Sequence, residues 1–462
     1  MNKYRRLLQD IIVFGLGNFI VKIIQFLLMP LYTTYLTAEI YGIAELVNNL
    51  TELLYPVVTI CIFEAVFRFT VDDERNGIVF FSVGFKFFIR SFVYIAGLAG
   101  CIYFIKRNNL VLLLFFVLYS YSFRMLLAFY TRGLGESKRF AISGIVNAIA
   151  LVIFSIIFIV NLKMGAAGYL LGIGMAHCAS AVCLLFGKHY WRNISCKNKE
   201  YERQMKQYSL PLILYNEIYW LQSMAGRFIL SFFFDTATAG IYMAVNKIAA
   251  VINMFQQVFY YAFQLNNSRE SKEGDILYYT RVFFLFSALM IIGSSFALLC
   301  IPFTATFILK NDFSDGITYL PMIIYTAVID CIFCFFKSLY TAYKDTKRTI
   351  NAVLLGGIVN VVLLLLLVPQ NAIWGVIISL SVSNIVMAIY RVLDTRRYIH
   401  IKINWCVQII ELLLLFTQAI CITFVESVGY RTAVFLFGVL MILILFQSKK
   451  IWGRENNETR HL

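Results

Sequence analysis

Fourteen apolar runs of membrane-spanning length, separated by polar punctuation, govern what this chain can fold into. They lie near residues 10–36, 40–67, 84–105, 110–131, 140–162, 166–187, 208–234, 238–265, 282–309, 317–343, 349–368, 372–393, 404–425 and 430–447. About 20 apolar residues cross the hydrocarbon core as a helix, so each run reads as one spanning helix. Of the 462 residues 60% are apolar and 14% charged, whereas a soluble domain has about 45 to 50% and about 25%. Too few charged side chains remain to cover a soluble exterior. The expected fold class is an all-α polytopic membrane protein of about 14 transmembrane helices. Lys3, Arg5 and Arg6 precede the first run as they would in a signal peptide, but that run continues past Pro30 to Leu36. It is too long for one and reads as a retained helix.

Charge tests the helix count, because one missed or false span would invert every later loop. With the N-terminus inside, the inner loops carry 28 Lys and Arg and the outer loops five: Lys106, Arg107, Lys163, Lys310 and Arg431. Both termini are therefore expected on the cytoplasmic side. The net charge of +15 is accounted for by the membrane, and no nucleic-acid partner is expected.

The longest hydrophilic stretch, Lys188 to Gln207, reads as a linker between six helices and the next six. A weak repeat agrees with that division. YLTAEIYGIAELV (Tyr35 to Val47) and FFDTATAGIYMAV (Phe233 to Val245) place Gly42 and Gly240 at an offset of 198 residues, and GIVN occurs at Gly144 to Asn147 and at Gly357 to Asn360. Six is an even number, so the repeats share orientation and are related by a pseudo-two-fold axis along the membrane normal. The expected organisation is an N-terminal lobe (1–190), a linker (191–207), a C-terminal lobe (208–394), and two further helices with a tail (395–462). Two lobes around a central path is a transporter layout.

Enzyme chemistry finds no support. There is no P-loop, no Gly-x-Ser-x-Gly and no H-E-x-x-H, and the four histidines (His177, His189, His400, His461) are not spaced as a metal pair. Nine of ten cysteines sit in apolar runs, Cys331 and Cys334 included, and read as small buried hydrophobes; only Cys196 is in a charged loop. No cofactor and no metal are expected, nor is an intrinsic ATP-driven exporter.

Seven basic residues fall inside the runs: Lys22, Lys86, Arg90, Arg124, Arg227, Lys247 and Lys337. Each needs a partner, a cavity or a route to the interface, because a charge at the bilayer centre costs at least about 2.5 to 3.5 kcal/mol. Lys86, Arg90 and Lys337 lie near inner helix ends and can snorkel to the surface. Arg68 has Glu64 one turn before it as a candidate partner. Lys22 stands twelve residues into its run, about 18 Å from the inner end at 1.5 Å per residue. It belongs to a one-face stripe of Gly15, Asn18, Lys22, Gln25 and Met29. The seventh helix repeats the pattern with Glu217, Trp220, Met224, Arg227 and Ser231; the eighth carries Tyr242, Asn246, Asn253, Gln257 and Gln264 beside Lys247; the second adds Glu45, Asn48, Asn49, Glu52 and Thr59. Interhelical hydrogen bonding would use such residues too, but a shared aqueous cavity explains the clustering better. Lys22, Arg227 and Lys247, with Arg124, supply positive charge suited to a phosphate or pyrophosphate. Glu52, Glu217 and Asp330 are the acids nearest mid-membrane, either neutralising those bases or binding a coupling proton or cation.

The runs NFIVKIIQFLLMPLYTTYLTAEIYGIAELV (Asn18 to Val47) and ELLYPVVTICIFEAVFRF (Glu52 to Phe69), with Pro211, Arg227, AGIYMAVNKI (Ala239 to Ile248) and Asn360, resemble the oligosaccharide flippases of the polysaccharide transporter family. That family lies in the multidrug/oligosaccharidyl-lipid/polysaccharide exporter superfamily. The resemblance implies alternating access and a lipid-diphosphate oligosaccharide substrate, an undecaprenyl-diphosphate-linked repeat unit moved across a bacterial plasma (inner) membrane for surface polysaccharide biosynthesis. It marks Lys22, Arg68, Arg227 and Lys247 as family-typical positions; Arg124 comes from the charge argument alone. The partners it implies are membrane lipids, a polysaccharide polymerase and glycosyltransferases. An extruder of cationic drugs is the first rival, weakened by cavity bases outnumbering any concentrated acidic site. A membrane polymerase or acyltransferase is the second, and the short outer connections argue against the polymerase.

Overall fold

In a computed structural model, which describes residues 23–24, 26–186, 199–270, 276–342, 346–424 and 427–453, the chain is helical, with no strand among the described residues. The elements in order are α1 (Met29–Tyr35), α2 (Ala38–Thr59), α3 (Ile62–Asp72), α4 (Gly77–Lys106), α5 (Asn109–Gly133), α6 (Ser137–Ser155, continued as a π-helix Ile156–Asn161) and α7 (Gly165–Leu185). There follow α8 (Lys199–Phe233), α9 (Thr236–Glu270), α10 (Ile276–Ile308), a 3₁₀ stretch Asn311–Tyr319, α11 (Leu320–Phe333), α12 (Phe335–Ala342), α13 (Thr346–Thr395), α14 (Trp405–Phe424) and α15 (Ser427–Gly453).

From the second run onward helices and expected runs correspond once three features are recognised, one being that α11 and α12 share the run 317–343; of the first run the described helix is only α1. The second run is one broken span: α2 and α3 meet at a bend of 61°. Conversely α13, 50 residues long, would extend about 75 Å if straight, far more than a bilayer, and it is two spans. Ala372 takes φ 45°, ψ −123° three residues after Pro369, and the two halves fold together so closely that a Cβ on Gly375 would lie 2.6 Å from the Leu367 carbonyl. Ten helices among the described residues are long and apolar enough to span on their own, and the bent pair adds an eleventh. The chain is a multi-pass membrane protein.

The described helices gather into two compact units, within Gly17–Gly240 and within Ile241–Leu462. In the first, a dense apolar centre forms where Ile62, Phe63 and Val66 of α3 meet Phe80 and Phe81 of α4 and Leu118, Leu126 and Leu127 of α5. Helix α8 packs here against α2, α3 and α4. Its polar opening residues explain part of this: Glu202 takes Lys86 Nζ at 3.1 Å and Lys206 Nζ at 3.0 Å, with Arg90 Nη1 at 3.7 Å. Lys86 and Arg90, expected to snorkel, do so toward this carboxylate. In the second unit polar pairs join α14 to α10 and α15 to α14. Ser287 donates to Gln408 Oε1 at 3.0 Å, Ser295 donates to Gln418, and Gln447 donates to the buried Glu411 at 3.1 Å.

The sequence repeat has a structural counterpart. Thr37 caps α2 by accepting the Ile40 amide at 3.2 Å, and Asp235 caps α9 by accepting the Thr238 amide at 2.6 Å, each 198 residues apart. Within the first unit the two capped turns then cross at the matched glycines. A Cβ on Gly42 would stand 1.9 Å from the Thr236 carbonyl oxygen, and one on Gly240 would stand 2.1 Å from that of Ala38. The contact is reciprocal, as a two-fold axis requires. The GIVN repeat behaves alike: Ser180 donates to Ser143 O at 2.8 Å and Ser383 to Gly356 O at 2.7 Å, each carbonyl belonging to the residue just before its motif.

Two predictions follow from these contacts. Gly42→Ala and Gly240→Ala should each destabilise detergent-solubilised protein by about 1 to 3 kcal/mol, the usual cost of forcing an atom into packed backbone, whereas Gly97→Ala, where a Cβ meets nothing within 4 Å, should not; thermal midpoints measure this. For Glu202, burial pushes the carboxyl up, but the Lys206 and Lys86 hydrogen bonds and charges outweigh it and hold it below the usual carboxylate range. A depressed carboxylate stabilises above its unfolded pKa, near 4.3, and loses that contribution as pH falls through the folded value. Glu202→Gln should therefore lower stability by on the order of 1 kcal/mol at pH 7, with the gap to wild type closing in strong acid.

Candidate functional site

The second and eighth helices of the chain order, α2 and α8, place the best-defined polar site in the first unit. Asn49 of α2, 2% exposed, accepts Arg227 Nη1 on its Oδ1 at 2.8 Å and Trp220 Nε1 on its backbone carbonyl at 3.2 Å. Trp220 and Arg227 are seven residues apart, two turns on one face of α8, so both reach one α2 residue. Arg227 Nε is buried and bonded to nothing among the described residues. The guanidinium is thus held by one neutral amide, with a donor unfilled.

One turn before Asn49, Glu45 is 1% exposed and accepts the Tyr169 hydroxyl of α7. Tyr169 packs edge-on against Tyr32 (4.9 Å between centroids) and Tyr41 (5.8 Å), and Tyr32 shares a 3.1 Å hydrogen bond with Ser155, the residue that opens into the π-helix. Tyr41 also lies within electrostatic reach of Arg227. Guanidinium, carboxylate and three tyrosines therefore occupy one neighbourhood. Sequence reasoning counted Glu45 in the α2 stripe but did not single it out, and passed over the tyrosines. The available signal was the four-residue step from Glu45 to Asn49.

Arg124 of α5 is placed separately: its Nε donates to Ser180 Oγ at 3.1 Å. Beside it Tyr121 packs on His177 at 5.3 Å, and His177 Nδ1 lies 3.1 Å from Asn147 Nδ2. Glu52 is exposed on α2. Glu217 of α8 is half-buried with Oε1 buried and unbonded. Arg68 corrects an expectation. Its guanidinium pairs not with Glu64 but with Asp72 one turn onward, at 3.2 Å, both 56% exposed; the long side chain follows α3 outward, where hydration is kept, leaving Glu64 behind in the packed helix. In the second unit Asp330 pairs with Arg391 at 3.7 Å, and Lys247 is half-buried on α9. Lys22, with Gln25, lies outside the described residues.

None of the candidate residues lines either of two grooves on the surface. One, of about 1060 Å³, lies where Lys138 and Arg139 meet Ile142, Val182 and Phe186; the other, of about 240 Å³, is bounded by Arg396, His400, Lys402 and Trp405. No group of three or more His, Cys, Asp or Glu able to hold a metal occurs among the described residues.

Several solved structures share this architecture. A lipid II flippase MurJ in an inward closed conformation superposes with a TM-score of 0.66 at 15% identity, over 96% of this chain and 99% of that one. An inward-facing multidrug resistance MATE family transporter of the MOP superfamily gives 0.62 at 14% identity, over 81% and 97%. A MOP superfamily transporter from Pyrococcus furiosus gives 0.59 at 13% identity, over 86% and 96%. At such identities the likeness is one of fold. No curated protein sequence matches the chain. Residues 7–263, more than half of the chain and including both halves of the Asn49 and Arg227 site, match the family model described as polysaccharide biosynthesis protein. The chain belongs to the polysaccharide biosynthesis protein family.

Proposed function

We propose that this protein is a flippase that moves an undecaprenyl-diphosphate-linked oligosaccharide repeat unit across a bacterial plasma membrane by alternating access. The observation that carries the reading is Arg227: a guanidinium in the last third of α8 (Lys199–Phe233), steered by Asn49 and keeping a buried donor unfilled among the described residues. A charge so placed marks a pathway for a charged ligand, and a guanidinium matches phosphate oxygens with paired donors. The family supplies the context of polysaccharide synthesis, and the fold is shared with a lipid II flippase. In this mechanism Lys22, Arg124, Arg227 and Lys247 receive the diphosphate, Arg68 meets it near the membrane surface, the sugars occupy an aqueous vestibule between two lobes, and the lipid tail stays in the bilayer. Glu52, Glu217 and Asp330 serve as counter-charges or coupling groups. A polymerase and glycosyltransferases act on the same lipid-linked intermediate before and after it crosses.

The test is surface polysaccharide in a flippase-null strain expressing Lys22→Ala or Arg227→Ala at matched membrane levels. Either change should abolish most of the polymer while leaving insertion intact, since removing a mid-bilayer charge relieves a cost of about 2.5 to 3.5 kcal/mol. Full restoration by both would mean that the bases are structural. Orientation is tested by thiol labelling of intact cells: cysteines at Asn198 and Asn456 should be protected from an impermeant reagent, one at Asn109 should react, and labelling at Asn198 would overturn the topology.

A further inference from the structure

We propose that the break between α2 and α3 is a binding site for a small monovalent cation, a proton or an alkali-metal ion, held by Glu64 and Glu217. The role of such a site in driving transport rests on the flippase reading; the binding itself does not.

Helix α2 stops at Thr59, and Ile60 and Cys61 take φ 48° and 51°. That left-handed conformation is costly for any residue with a Cβ, and most of all for β-branched isoleucine. Pro56, inside the last turn, has already removed one amide from the ladder. The amides of Ile60 and Cys61 turn back to the carbonyls of Val57 (3.2 Å) and Pro56 (3.1 Å), and among the described residues no backbone amide outside the helix reaches Val58 or Thr59. Bare carbonyls within a spanning segment persist only where something polar meets them, and broken membrane helices use such oxygens to coordinate cations.

Three side-chain oxygens gather at this break with nothing bonded to them. Glu64, in the first turn of α3, has Oε2 buried and unbonded. Tyr55, one turn before the break and 6% exposed, has a buried, unbonded hydroxyl within electrostatic reach of Glu64. On α8, Asn216 Nδ2 donates to Cys61 Sγ at 3.3 Å; the neighbouring Glu217 has a buried Oε1 with no hydrogen bond among the described residues, and both carboxylates act electrostatically on the Cys61 thiol. Buried polar atoms are almost always hydrogen-bonded, so three orphan oxygens from three elements at one helix break are the natural ligands of a small cation.

The charged neighbours do not fill it. From α5, Tyr121 packs on Tyr55 at 5.1 Å and Arg124 donates to Ser180. From α4, Lys86 and Arg90 are engaged by Glu202 of α8 together with Lys206. On α3 itself Arg68 is paired with Asp72, and on α2 Glu52 adds negative charge. Two carboxylates with no base bonded to them among the described residues are expensive to bury, and a cation bound between them removes the penalty. Donors that are all oxygen, two of them anionic, suit a proton or a hard ion and not a soft metal.

Purified full-length protein tests this directly by two measurements, equilibrium binding of radioactive sodium and proton uptake on acidification of a weakly buffered sample. Wild type should bind about one sodium per chain, or show a proton-uptake step whose midpoint Tyr55→Phe, which keeps both carboxyls, displaces; each single glutamine variant should weaken sodium binding by about tenfold or more. Sodium binding and proton uptake identify the ion. Tyr55→Phe, which removes only a hydroxyl, should weaken binding several-fold and covers the case in which a glutamine variant does not fold. Absence of sodium binding together with a proton-uptake step that Tyr55→Phe leaves in place, or sodium binding by the Glu64→Gln/Glu217→Gln double variant equal to that of wild type, would overturn the site. Failure of wild type to restore surface polymer would overturn the flippase reading instead and leave the binding result standing.

Discussion

Hydrocarbon offers the backbone no hydrogen bond, and the rest of this structure is arranged around that fact. Each unsatisfied N–H or C=O in the core of a bilayer costs several kcal/mol, so the chain crosses as helices, and its departures from helix are few and local. The described spans break at Ile60 and Cys61, at Ala372, at the π-helical turn after Ser155, and between α11 and α12 at Cys334. The first and third adjoin polar chemistry. The first faces Glu64 and Glu217, and the third begins beside the serine that bonds Tyr32 in the Glu45 cluster. The break at Ala372 has a topological role, turning one 50-residue helix back on itself.

The same lack of solvent fixes how polar side chains are used. Serine and glutamine pairs join α10 to α14: both serine hydroxyls and Gln418 Nε2 meet acceptors, while Gln408 Nε2 is buried without one among the described residues. Charges divide into two sorts. Arg68, Lys86, Arg90 and Arg348 lie near helix ends and find carboxylates there. Arg227 and Glu45 lie away from those ends, held by an amide and by a phenol, and it is on Arg227 that the proposed function rests.

Symmetry enters through backbone more than through side chains. The repeats share few residues, yet caps at Thr37 and Asp235, glycines at 42 and 240, and serines at 180 and 383 carry out equivalent contacts. What the duplicated fold demands is a capped turn, a place without a Cβ and a hydroxyl aimed at a carbonyl. Other positions differ between the repeats, as do the broken helix α2–α3 and the polar residues that α8 sets against it.

The number of helices, their approximate limits and the polar faces of α2, α8 and α9 were set by the sequence alone, because in a membrane local composition and the need for internal hydrogen bonds decide secondary structure with little tertiary help. The resemblance carried by Asn18 to Phe69 and by Arg227 likewise pointed to the family. Tertiary structure decided which polar groups meet. Arg68 chose Asp72 over Glu64 because exposure favours the outer carboxylate, and Asn49 bonded Arg227 from 178 residues away. The break at Cys61 depends on a left-handed pair that no residue type announces: neither Ile60 nor Cys61 is a residue that favours that conformation. It exists because packing of α3 against α5 and α8 outweighs local backbone preference, and a sequence displays preferences residue by residue, not the packing that overrides them.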